Sequence, residues 1–115
     1  MDNKTKGSEC ESLVSEYLKR EGHTILERNY RCPFGEIDVL SLSSDGVLCV
    51  TEVKSLTRRW AADEVRYMVD GRKMMRLKKT LEHYLASGSK IRYNSIRFDV
   101  ATVTDAHVTY YRGEF

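Results

Sequence analysis

Between residues 8 and 21 the apolar side chains Cys10, Leu13, Val14, Tyr17 and Leu18 recur at i, i+3, i+4, i+7 and i+8, which is one face of an α-helix. Gly22 ends it. Residues 23–31 are rich in branched and aromatic side chains and are followed by Cys32-Pro33-Phe34-Gly35, which predicts a strand and a turn. Two further runs, GEIDVLSL and VLCVTEVK, flank Ser44-Asp45-Gly46, a pattern that suits a hairpin with a three-residue loop and Gly46 left-handed. With Ser43 and Val47 closing the loop, Leu40 falls opposite Val50, Asp38 opposite Glu52 and Glu36 opposite Lys54.

After a loop over residues 55–61 the pattern turns helical, with Met74, Leu77, Leu81, Tyr84 and Leu85 as a second stripe and Gly71 as a point where the helical region divides. Ser87-Gly88-Ser89 stops it. The runs IRYNSIRFDVATV and HVTYYRGEF then predict two closing strands around a turn at Thr104-Asp105. The resulting order, α-β-β-β-α-β-β, predicts an α/β sandwich with a central mixed sheet flanked by helices, as a single domain over residues 1–115. No repeat, linker or low-complexity segment interrupts it.

Composition supports a folded chain: 41% hydrophobic residues, 31% charged and one proline. No run approaches the roughly 18 apolar residues of a membrane span, and the polar start lacks a signal-peptide core, so a cytoplasmic location is expected. Cys10, Cys32 and Cys49 form no CxxC pair and read as free thiols, not as a disulfide framework or a zinc site. The net charge of +2 is too small to indicate nucleic-acid binding, but between Arg58 and Lys79 eight basic residues face three acidic ones, a local charge of +5.

The hairpin carries the chemistry. Alternation places Glu36 and Asp38 on one strand face with Leu40, and Glu52 and Lys54 on one face with Leu48 and Val50. Opposed carboxylates repel, and beside leucine and valine they are costly to bury, so Asp38 against Glu52 requires a cation. Mg²⁺ takes oxygen ligands and keeps several waters, so two carboxylates, water and a substrate phosphate oxygen would make a site. Lys54 would then orient the attacking water or offset charge developing on the phosphate. The plainer reading is a cross-strand ion pair between Lys54 and Glu36 or Glu52, and spacing alone favours it.

Asp38 followed by Glu52-Val53-Lys54 resembles the Asp…(Asp/Glu)-x-Lys signature of restriction-endonuclease-like nucleases, written PD-(D/E)xK. The resemblance is closer to the bacterial YraN-type family. It runs through Glu11, Tyr17-Leu18, Gly22, Asn29-Tyr30-Arg31, the GEID box at Gly35-Glu36-Ile37-Asp38, the EVK box at Glu52-Val53-Lys54, Lys73, and Arg97-Phe98-Asp99-Val100, covering nearly the whole chain. Ile37, Cys10 and Thr51 depart from commoner superfamily residues without removing a ligand, while the segment after Lys54 fits the pattern poorly.

The resemblance implies a restriction-endonuclease-like core, similar to archaeal Holliday-junction resolvases, in which a carboxylate of the first helix joins the metal site. Glu11 is the matching position. It sits about 90° from the centre of the helix's apolar face at roughly 100° per residue; its other reading is an ordinary first-turn glutamate favoured by the helix dipole.

The expected activity is hydrolysis of DNA phosphodiester bonds, in branched or structured DNA, with Mg²⁺ or Mn²⁺ as cofactor. Asp38, Glu52 and Glu11 would hold metal with help from Glu36, and Lys54 would serve the water and transition state. Lys73 at the edge of the second stripe, with Arg58 and Arg59 in the preceding loop, would contact phosphates. Trp60 reads as a base-stacking or a core residue, with the core reading favoured. Arg72, Arg76 and Lys79 read as a solvated helix face. His23, His83 and His107 lack metal-ligand spacing and are assigned no chemistry. A homodimer is expected if two strands are cut. The rival expectations are an inactive nucleic-acid-binding module and a structural subunit of a larger DNA-processing assembly.

Overall fold

The computed structural model describes residues 3–57, 70–88 and 90–113. Its elements follow the order read from the sequence: α1 (Asn3–Arg20), β1 (Thr24–Cys32), β2 (Gly35–Leu42), β3 (Val47–Ser55), α2 (Gly71–Ala86), β4 (Ser95–Thr104) and β5 (His107–Tyr111). The strands form one five-stranded sheet in the spatial order β1-β2-β3-β4-β5. Three contacts are antiparallel, and β3 pairs with β4 in parallel. A parallel pair needs a long crossover, and α2 lies within it.

The hairpin forms in the expected register. Leu42↔Leu48, Ser41↔Cys49, Leu40↔Val50 and Val39↔Thr51 are paired. The Ser43 N–H donates to Val47 O at 2.9 Å, and Gly46 holds φ at +87°. That glycine is required twice: its φ is left-handed, and a Cβ would lie 2.3 Å from Asn94 Nδ2. Asn94 is also why β4 begins at Ser95 and not at Ile91. Its backbone N–H donates to Gly46 O at 2.8 Å and its side chain to Asp45 O at 3.1 Å, tying the incoming chain to the hairpin loop before pairing begins.

The two helices among the described residues cover opposite faces, giving three layers. On one side Leu77, Leu81 and Tyr84 of α2 pack on Ile37, Leu40, Leu48 and Val50. On the other, Cys10, Val14 and Leu18 of α1 pack on Val39, Ala101 and Val103. The central strand is buried on both faces, so Leu48 to Thr51 read as a continuous buried run without alternation.

Gly71 opens α2 as its first residue. Asp70 is the N-cap, its side chain accepting from the Lys73 N–H at 2.8 Å, and Gly88 lies beyond the Ser87 C-cap at φ +99°. The turn between β4 and β5 uses Asp105 and Ala106, both at positive φ, as a two-residue primed turn requires. Cys10, Cys32 and Cys49 are free thiols. No helix among the described residues is long and apolar enough to cross a membrane. Arg58, Arg59 and Trp60 lie outside the described residues.

Candidate active site

The ladder between β2 and β3 opens immediately after Val39↔Thr51. The Val53 N–H is then taken by a side chain, donating to Asp38 Oδ2 at 2.8 Å. The Asp38 carboxylate thus occupies the opening between the strands, held by a backbone donor of β3.

Strict alternation fails here. Ile37 packs with Leu40 on the α2 side, whereas Val39 packs on the α1 side. On β1 the residue opposite Asp38 is Asn29, between the pairs Arg28↔Val39 and Tyr30↔Ile37, and it holds φ at +53°. Asparagine is among the few residues that tolerate this conformation. The break changes the expected arrangement, in which all four hairpin charges share one face. Asp38 instead lines a cleft on each side of the sheet: one of about 630 Å³ with Glu11, Arg28, Asn29 and Glu36, and one of about 420 Å³ with Glu52, Lys54, Lys73 and Arg76.

In the second cleft, Glu52 projects from β3 on the Leu48/Val50 face with only 13% of its side chain exposed. Its Oε1 forms an ion pair with the ammonium of Lys73 from α2. Its Oε2 is buried without a hydrogen-bond partner among the described residues. An unsatisfied buried carboxylate oxygen costs on the order of 1–3 kcal/mol. The ion pair anticipated for Glu52 therefore exists, but with Lys73 as the cation. Lys54 is exposed on the wall of the same cleft and has no ion-pair partner among the described residues.

Burial raises the Asp38 pKa to about 6, opposed by the Val53 N–H and reinforced by the charges of Glu52, Glu11 and Glu36. Glu11, half-buried on α1, is likewise shifted upward, first by desolvation and then by Glu36, with Arg28 and Arg31 opposing. Arg28 ties β1 to α1 here, donating to Ser12 Oγ at 2.9 Å. Glu36 stands at the rim, 53% exposed and paired with Arg31 at 3.2 Å.

Among the described residues no group of three or more histidine, cysteine or acidic side chains is placed to hold a metal ion. The fit is to a two-carboxylate site. Asp38 is half-buried beside Glu52, Glu52 Oε2 lacks a partner among the described residues, and a hard cation would satisfy that oxygen while relieving the repulsion. Glu11 faces Asp38 from the opposite wall, and Glu36 is engaged at the rim.

Arg76 is exposed, as a solvated helix face implies, and it also lines the cleft one turn from Lys73, its Cβ beside Gly35. Its i+3 spacing from Lys73 was the available signal. Asn29 has no such signal, because its role is a backbone conformation. The Arg97-Phe98-Asp99-Val100 run supplies a fold-stabilising network instead of a cleft residue. Fully buried Asp99 accepts from Arg97 Nε at 2.8 Å, Tyr110 Oη at 2.6 Å and Gly113 N at 2.7 Å. Tyr110 also bonds Thr51 Oγ1 at 2.8 Å.

Fold and cleft together define an α/β sandwich with a paired-carboxylate and lysine site at the open end of its central hairpin. The chain belongs to the family described as "Uncharacterised protein family UPF0102", whose model matches residues 10–103. It is 40% identical over 111 residues to a UPF0102 protein of Clostridium acetobutylicum, covering 91% of this chain and 84% of that one. A relative from Corynebacterium efficiens is 40% identical over 97 residues, covering 84% and 75%. One from Pseudoalteromonas translucida is 32% identical over 117 residues, covering 99% and 93%. Among solved structures, that of Pyrococcus furiosus SfsA in complex with Ca²⁺ is similar at a TM-score of 0.24 and 14% identity, covering 87% of this chain and 58% of that chain. A likeness of that size carries no argument.

Proposed function

We propose that this protein is a divalent-metal-dependent endonuclease of the restriction-endonuclease-like kind, hydrolysing phosphodiester bonds in branched or structured DNA. The observation that carries the reading is the buried Oε2 of Glu52, partnerless among the described residues, beside Asp38 in a cleft walled by Lys54 and Arg76. Asp38 and Glu52 would hold Mg²⁺ or Mn²⁺, with Glu11 of α1 approaching Asp38 from the other side of the sheet. When bound, such an ion polarises a phosphodiester and lowers the pKa of water.

The chain's own groups do the rest. The Val53 N–H fixes the Asp38 carboxylate in the strand opening. Lys54, exposed beside the acids, offsets charge that develops on the phosphate in the transition state. Arg76 holds a neighbouring phosphate, and Lys73, paired with Glu52 in the metal-free protein, would be free to join it were Glu52 a metal ligand. A homodimer would present one such site to each strand of a duplex.

The Lys73–Glu52 pair favours one alternative, a nucleic-acid-binding module whose acid is neutralised internally. Mn²⁺ titration and a cleavage assay on linear, flapped and four-way DNA separate the two. The nuclease reading expects heat on Mn²⁺ addition and cleavage reduced at least about 100-fold by Lys54→Ala, within the range for losing one electrostatic stabiliser. No Mn²⁺ binding, with DNA bound but uncut, establishes the module instead.

A further inference from the structure

At the tip of the turn between β1 and β2, Phe34 exposes 47% of its surface. A turn residue needed only for packing would turn inward, as Tyr30 does on the preceding strand. Phe34 is nevertheless braced. One edge meets His83 of α2, with ring centroids 6.2 Å apart and planes at 68°. His83 is hydrogen-bonded through Nδ1 to the Tyr30 hydroxyl, and the Tyr30 ring stands edge-on to buried Tyr84 at 5.2 Å. The chain Phe34–His83–Tyr30–Tyr84 connects an exposed ring to the core and leaves much of its surface in solvent.

Beside this ring runs a stripe of positive charge. Arg72, Arg76 and Lys79 recur at i, i+4 and i+7 along α2, in line with His83 at i+11, all exposed. At roughly 1.5 Å per residue the three cations span about 10 Å, and His83 carries the line to about 16 Å. Its middle residue, Arg76, both lines the cleft containing Asp38 and Glu52 and packs beside Gly35, the residue after Phe34. Of the acids near it, Asp70 caps the helix through the Lys73 N–H, Glu36 is paired with Arg31, and Glu82 lies exposed between Lys79 and His83.

A row of cations suits phosphates of either a duplex or a single strand. An exposed, braced aromatic ring suits only the latter, because in a duplex the base faces are already stacked on one another. We infer that the site takes a nucleic-acid strand with unpaired bases, its backbone following Arg72, Arg76 and Lys79 and one base stacking on Phe34. This rests on the nucleic-acid reading of the same cleft and narrows its substrate to flapped, gapped or single-stranded segments.

The test is fluorescence anisotropy in EDTA, so that no strand is cut, using a single-stranded oligodeoxynucleotide, the oligoribonucleotide of the same sequence and the matching DNA duplex. Wild type is expected to prefer unpaired strands. Phe34→Ala should weaken single-strand binding about fivefold or more, the low end for loss of one base–aromatic stack, and leave duplex binding unchanged. Phe34→Tyr, which keeps the ring, should bind as wild type does. The two sugar arms identify which strand chemistry loses affinity. Arg76→Gln should weaken every arm and flatten the salt dependence.

Duplex preference by the wild type, or a Phe34→Ala loss that is absent or equal in all arms, overturns the inference. Thermal melting of each variant separates lost stacking from lost folding. Cleavage and Mn²⁺ binding that persist alongside such a result leave the nuclease proposal standing. Absent Mn²⁺ binding alongside intact single-strand preference removes the nuclease and keeps the strand site.

Discussion

Asp38 accepts the backbone N–H of Val53 at 2.8 Å, so a carboxylate side chain holds the strand opening at the end of the β2–β3 ladder. That single bond opposes an upward shift set by burial and by three neighbouring acids.

A pH-dependent cost follows for the metal-free protein. The carboxylate titrates near 3.8 when free and at about 6 in the fold. The folded state therefore holds this proton more tightly, and stability contributed by the protonated form is fully present below the unfolded value. It is lost as pH rises through the folded one. Asp38→Asn keeps an acceptor for Val53 and removes the charge. In EDTA it should raise unfolding free energy by about 2–3 kcal/mol at about pH 8, with the gain growing between about pH 4 and 6 and vanishing below. Urea denaturation of both proteins across pH measures this, and a gain independent of pH contradicts it.

The Glu52–Lys73 pair makes a second prediction. Lys73→Met leaves a nearly buried carboxylate with neither oxygen partnered. The expected loss is about 2–3 kcal/mol in EDTA, recovered in large part by adding Glu52→Gln. Because a divalent ion then competes with no ammonium, Mn²⁺ should raise the melting temperature of Lys73→Met more than that of wild type. An equal Mn²⁺ shift in both would place the ion away from Glu52.

Asp99 should matter for stability and not for the cleft. It lies fully buried among Arg97, Tyr110 and Gly113 and is absent from the walls of both clefts. Asp99→Ala should cost about 3–5 kcal/mol, because the Arg97 guanidinium loses its buried partner. Tyr110→Phe should cost about 1–2 kcal/mol, since Thr51 and Asp99 each lose one hydrogen bond. Mn²⁺ affinity per folded molecule should be unchanged in Tyr110→Phe, measured by calorimetry.

Hydrophobic periodicity and turn chemistry were enough to read the element order, the two helical stripes and the hairpin register, because each is set by neighbours in the chain. Leu40 falls opposite Val50 since Gly46 closes a short loop of fixed length. The grouping of Asp38, Glu52 and Lys54 near one another follows from that register and was legible with it. Only the tertiary structure decided how they are divided. Asn29 at positive φ and the break in alternation at Asp38 put Glu11 and Glu52 on opposite walls with Asp38 between them, and no periodic pattern encodes such a break. Which lysine neutralises Glu52 was likewise settled by packing. Lys54 is two residues away in sequence, yet α2, docked by Leu77 and Leu81 on the sheet, delivers Lys73 into reach from the far side of the crossover.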